Sequence, residues 1–134
     1  MKKYENYVSN LKVLLQAQEQ DLSNEFIVSG IIDKFFIQFE LGWKLLKELL
    51  AYEGRAAAAS GSPRSIIKAA YTIYDFMDEE IWLDMLRARN DLTHIYNEEA
   101  ARELTNCILE RYLAAFEKLQ EGLLSYYGEE MLLR

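Results

Sequence analysis

The residues best suited to chemistry stand together at Arg89-Asn90-Asp91-Leu92-Thr93-His94-Ile95-Tyr96. His94 is the only histidine among 134 residues, five positions after Arg89 and two before Tyr96. A histidine is the side chain that exchanges a proton near neutral pH, and an arginine presents a forked cation that matches phosphate oxygens. A cation, an imidazole and a phenol at this spacing point to phosphate chemistry or nucleotide binding. Their number constrains the mechanism. Metal-free cleavage of RNA needs a base for the 2′-hydroxyl, an acid for the leaving oxygen and a cation for the phosphorane. One imidazole per chain cannot fill both proton roles. A two-fold homodimer that joins two copies of the motif would supply two histidines and two arginines to one cleft.

Geometry also bears on the pair. If residues 81 to 94 form one helix, Asn90 and His94 lie a turn apart, so the amide can orient the imidazole. Arg89 and His94 are then separated by roughly 140° around the axis. Three solutions stay open: the helix ends or bends before His94, the long arginine stem reaches around, or a second copy supplies the missing group. A simpler reading stands beside these, in which His94 is a helix cap or a satisfied surface group. Asp84, Arg87 and Asp91 are likewise spaced as ordinary surface pairs.

The remainder of the chain reads as a helical frame. Tyr4, Val8, Leu11 and Leu15 make an apolar stripe on a first helix over about residues 2 to 20. Asp21, Ser23 and Asn24 then offer a turn and an N-cap. A second helix is predicted from about Glu25 to Glu53, stopped by Gly54. Ile27, Ile31, Phe35, Phe39, Leu46 and Leu49/Leu50 form one apolar face of it, and Val28, Ile32, Phe36 and Trp43 another, so it should be central and buried on two sides. Glu40 and Lys44 are placed to pair across a turn. Residues 54 to 62 form a loop, and Ser62-Pro63 restarts a third helix that reaches about Tyr74. Asp78-Glu79-Glu80 caps a fourth that leads into the motif. Asn97-Glu98-Glu99 opens the last, with a stripe of Leu104, Ile108, Tyr112, Ala115 and Leu119. A tail from about residue 127 is expected to fray. The pattern predicts one all-α domain over residues 1–134, an antiparallel up-and-down four-helix-type bundle with an additional short helix. Trp43 and Trp82 read as core.

Composition narrows the function classes. About half of the residues are hydrophobic and 28% are charged, which suits a packed domain. No apolar run approaches a membrane span and the start lacks a signal-peptide block, so a cytoplasmic protein is expected. The single cysteine, Cys107, leaves no intrachain disulfide and reads as a small core residue. Cysteine and histidine are too few for a zinc site within one chain, and neither metal nor cofactor is expected. The net charge of −7 argues against broad coating of nucleic acid. A local cationic pocket is still open to Arg64, Lys68, Arg87, Arg89 and Arg102; of these Arg64, Lys68 and Arg87 are the candidate phosphate-binding residues.

Arg89, Asn90, His94 and Tyr96 in an Arg-x4-His-x-Tyr pattern resemble the signature of HEPN domains (higher eukaryotes and prokaryotes nucleotide-binding). More narrowly, they resemble the bacterial nucleotidyltransferase substrate-binding proteins. Phe39-Glu40-Leu41-Gly42-Trp43-Lys44-Leu45-Leu46-Lys47, Ser62-Pro63-Arg64 and Trp82-Leu83-Asp84-Met85-Leu86 extend the resemblance from about residue 4 to 125. The resemblance implies a helical bundle, a homodimer, and a cleft between subunits faced by Arg89 and His94. It implies a minimal nucleotidyltransferase as partner, which supplies catalytic carboxylates and metal while this chain binds a nucleotide, RNA or other substrate. In RNase-active relatives Arg89 and His94 would be catalytic and Asn90 supporting. In the toxin–antitoxin branch the partner would silence the toxin by attaching AMP at Tyr96. The chain lacks the partner's own Gly-Ser and paired-aspartate signature, so it is not expected to transfer nucleotides alone. A non-catalytic structural helical dimer is the third expectation.

Overall fold

The computed structural model describes residues 1–133, and all of its regular structure is helical. Helix α1 (Lys2–Leu14) is shorter than the stripe predicted and tightens into a 3-10 turn at Leu15–Glu19. Its buried face is Tyr4, Tyr7, Leu11 and Leu14, and Ala17 continues it on the tighter turn. Helix α2 (Glu25–Tyr52) begins where Asn24 accepts hydrogen bonds from the backbone N–H groups of Phe26 and Ile27. It ends before Gly54, whose φ of 73° lies in the left-handed region that glycine tolerates.

After a 3-10 turn at Ala56–Ala59, Ser62 caps α3 (Pro63–Tyr71) by accepting from the Ser65 N–H. Helix α3 stops three residues short of the predicted end. Tyr74 is nonetheless wholly buried, carried on a turn that follows. Asp78 caps α4 (Glu79–Asn90) through the Ile81 N–H. A short α5 (Thr93–Tyr96) follows, and α6 (Glu98–Cys107) is capped by Asn97. A π-helical turn at Ile108–Tyr112 joins α6 to α7 (Leu113–Tyr127) without a break.

These helices pack as an antiparallel bundle with α2 at its centre, touching α1, α3, α4 and α6. Of the two faces predicted on α2, Ile31, Phe35, Phe39, Leu46, Leu49 and Leu50 are buried, with Val28 and Ile32. Ile27, Phe36 and Trp43 are half-buried at its edges. A polar network the apolar pattern did not reveal links α1 to α2. Gln38, fully buried, accepts from Asn10 Nδ2 at 2.8 Å and donates through Nε2 to the Tyr7 carbonyl at 3.1 Å. Satisfied on both ends, it fixes the register of the two helices without an orphaned amide.

Gly128, at φ 86°, turns the chain into α8 (Glu129–Leu132), and Leu132 is fully buried. The amino terminus donates to the Leu132 carbonyl at 2.9 Å, so the two ends of the domain are joined. Among the described residues no helix is long and apolar enough to cross a membrane.

Candidate functional site

Asp91 decides the geometry of the motif. Its side chain accepts from both the N–H of Thr93 (3.0 Å) and the Thr93 hydroxyl (2.6 Å). A local turn of this kind offers the backbone an alternative to the helical ladder. Helix α4 therefore stops at Asn90, Asp91 is extended, and His94 rides on the separate α5. The continuous helix over residues 81 to 94 does not form. The helix ends before His94, as the first of the three geometric solutions requires. The expected contact between Asn90 and His94 is also replaced: the Asn90 amide oxygen accepts from Arg89 Nη1 at 3.3 Å.

Both motif residues instead meet α2. The imidazole of His94 lies 5.1 Å from the ring of Phe36, centroid to centroid. Arg89 Nη2 lies 2.6 Å from Glu40 Oε1. Phe36 and Glu40 are one helical turn apart on the same face of α2. Arg89 and His94 are thus anchored at adjacent points of one helix, although their own backbone segments diverge. The second carboxylate oxygen of Glu40 accepts from the Trp43 indole N–H at 3.0 Å, and Lys44 stands 3.8 Å away. The predicted Glu40–Lys44 pair is present, but Arg89 is the nearer cation. Trp43 is half-buried with its N–H committed to Glu40, whereas Trp82 is a true core residue.

His94 Nδ1 is 3.0 Å from the carbonyl of Asp91. A carbonyl only accepts, so this contact selects the tautomer protonated at Nδ1 and leaves the Nε2 lone pair as the proton acceptor. The ring forms part of the wall of two clefts. The smaller, about 240 Å³, has Val28, Ser29, Ile95, Tyr96 and Arg102 among its walls. The larger, about 420 Å³, includes Asp84, Arg87, Thr93, Cys107 and Tyr112. Tyr96 is 88% exposed. Arg102 serves the frame, donating to the Leu22 carbonyl at 2.8 Å and pairing with Glu98. Arg64 and Lys68 are exposed on α3 and line neither cleft, so of the three candidate phosphate-binding residues Arg87 alone borders His94.

Asp84 gathers three partners at the floor of the larger cleft. It accepts from Arg87 (3.0 Å), Arg111 (3.0 Å) and the Tyr112 hydroxyl (2.7 Å). Arg111 and Tyr112 are consecutive, and they reach one carboxylate from the widened π turn, a distortion often found at functional sites. The Asp84–Arg87 pair expected from helical spacing is present, and Arg111 joins it from another helix, which spacing along α4 does not show. Partial burial acts to raise the Asp84 pKa, but the Tyr112 and Arg87 hydrogen bonds and the arginine charges outweigh it and lower it. Burial, then the nearby Asp84 charge, raise the Cys107 thiol, which is half-buried against the core. Among the described residues no group of three or more His, Cys, Asp or Glu side chains is placed to hold a metal ion.

The lowered Asp84 pKa carries a signed expectation. A carboxylate depressed in the folded state adds stability above its unfolded value of about 4, and that contribution is lost as pH falls through the folded value. Urea melts of wild type and Asp84→Asn are therefore expected to differ at pH 7 and to draw together as the pH is lowered below about 4. A gap that persists undiminished at the lower pH would show that the charge of Asp84 is not what stabilises the floor.

The sequence of the chain matches, over residues 1–125, the family described as nucleotidyltransferase substrate binding protein like. The chain belongs to that family. No curated protein matches it significantly.

Proposed function

We propose that this chain is the substrate-binding subunit of a two-component system whose other member is a minimal nucleotidyltransferase. Arg89 and His94 together would hold a nucleotide or RNA phosphate, and two copies of the chain would complete the site. The observation that carries this reading is the anchoring of Arg89 and His94 to one face of α2, in a chain of this family. A guanidinium and an imidazole held a helical turn apart suit the two sides of a phosphate group. The acidic body, at −7, favours selective binding at such a site over general adhesion to RNA. Exposed Leu92, Ile95, Tyr96 and Phe26 give the motif end of the molecule an apolar surface that a second copy would cover.

A second reading, in the HEPN toxin branch, is favoured by one observation, the tautomer that the Asp91 carbonyl imposes on His94. In it the chain is a metal-independent endoribonuclease. His94 Nε2 accepts the 2′-hydroxyl proton, the 2′-oxygen attacks phosphorus, and Arg89 stabilises the phosphorane. The leaving 5′-oxygen takes its proton from the imidazolium of a second copy. The exposed Tyr96 hydroxyl would then be the site at which the nucleotidyltransferase attaches AMP and silences cleavage.

Co-expression with a minimal nucleotidyltransferase from the same genome tests both. A stable complex on size-exclusion chromatography is the expected result, and failure of every such protein to co-elute would overturn the subunit reading. With ATP present, intact-mass and peptide spectra should place an AMP adduct on Tyr96 if the toxin reading holds; an unmodified Tyr96 in a chain that cleaves RNA removes the silencing step.

A further inference from the structure

The stretch Phe39-Glu40-Leu41-Gly42-Trp43-Lys44 places two charged side chains of α2 beside Arg89. Glu40 is the residue in question. Its Oε1 is buried and lies 2.6 Å from Arg89 Nη2. The contact is a close ion pair between a buried carboxylate oxygen and a guanidinium. Oε2 is fixed by the Trp43 indole. The carboxylate is therefore held in place by its own helix, and Arg89 is the partner that reaches it from another helix. Lys44 stands by as a second cation for Glu40. Arg89 itself keeps a third of its side chain in solvent.

We propose that Glu40 is an internal stand-in for phosphate: it occupies Arg89 in the free protein and yields the guanidinium to the phosphate of a nucleotide. Ligand binding then exchanges one anion for another at Arg89, and Lys44 and Trp43 retain the displaced carboxylate. Glu40 is a positioning residue in this scheme, for it acts on the ligand only through Arg89. Its charge sets the threshold of the site, so that weakly held anions do not displace it. The proposal rests on the reading of Arg89 as a phosphate-binding residue.

Isothermal titration of AMP into wild type, Glu40→Gln, Arg89→Ala and the double variant tests it. Glutamine keeps the size of the side chain and an oxygen for the Trp43 N–H but removes the competing charge. Glu40→Gln is expected to bind AMP about 5- to 10-fold more tightly, at the low end of couplings between linked sites. The double variant should bind no better than Arg89→Ala. Unchanged or weaker binding by Glu40→Gln overturns the proposal, as does a gain that survives in the double variant. If Arg89→Ala binds AMP as wild type does, the phosphate reading of Arg89 has failed and the proposal falls with it. Should thermal melting show Glu40→Gln to be unfolded, Glu40→Asp is read in its place. That shorter carboxylate retracts from Arg89, and tighter AMP binding is again the expected outcome, equal or weaker binding the one that overturns it.

Discussion

A Trp82→Ala variant is expected to lose about 3–5 kcal/mol of folding stability, the range for deleting a large aromatic side chain from a packed core. Trp82 is 1% exposed and stands edge-on to Phe116 at 5.5 Å and tilted to Phe39 at 6.0 Å. Its closeness to α2 depends on Gly42: a Cβ built there would lie 2.8 Å from the indole Cη2 and 3.2 Å from Tyr7 Cε2. Backbone on one side and aromatic rings on the other leave little that could collapse into the space. Such a loss is a large part of the ~5–15 kcal/mol that stabilises a domain of this kind. Urea denaturation followed by circular dichroism measures it, and a loss below about 1 kcal/mol would show that the site relaxes around the cavity. The consequence reaches the motif. Trp82 is the anchor by which α4 seats on α2, and α4 carries Arg89 to Glu40. The variant should therefore bind AMP more weakly even at temperatures where it remains folded.

On the endoribonuclease reading, His94→Ala is expected to reduce RNA cleavage in EDTA by about 100-fold or more, the span general acid–base catalysis contributes. The effect should exceed that of a stability loss, because the half-buried imidazole rests on Phe36 at the edge of the core and does not fill its centre. Three outcomes separate the readings. A large loss with an unchanged urea midpoint supports the endoribonuclease. Equal rates for variant and wild type remove His94 from the chemistry and trace the cleavage to another source. No cleavage by wild type eliminates the endoribonuclease and leaves the binding subunit, for which His94→Ala should instead weaken AMP binding.

Much of the frame was legible in the sequence because its causes are local. Asn24, Ser62, Asp78 and Asn97 each accept a backbone N–H at the start of a helix, as their side chains and positions suggested. Gly54 ends α2 because no other residue type adopts its positive φ so readily. The apolar stripes of α2 and of the last helix follow from helical period, and they orient those helices toward the core. The misplaced boundaries also have local causes that a period cannot express. Asp91 and Thr93 form a side-chain turn that outcompetes helix continuation, and α1 tightens after Leu14. Nor does a period show that Leu132 is buried at the far end of the chain, with its carbonyl accepting from the amino terminus.

The composition of the site divides in the same way. Residue types and spacing brought out Arg89, His94 and Tyr96, since a lone imidazole between a cation and a phenol is visible in one dimension. Helical spacing also found Arg87 beside Asp84. What it could not find was which groups share a helix face across the bundle. Phe36 and Glu40 receive His94 and Arg89 because α4 and α5 end where they do and α2 passes beneath both. Arg111 and Tyr112 reach Asp84 because a π turn widens the last helix at that level. Arg64 and Lys68 looked equivalent to Arg87 in the sequence, yet α3 carries them away from His94. Caps, turns and helical period are properties of neighbouring residues, so the chain carried its bundle and its motif in its order of amino acids. Ion pairs and ring contacts between helices depend on distances set by packing, and only the folded bundle assigned Glu40 to Arg89 and Phe36 to His94.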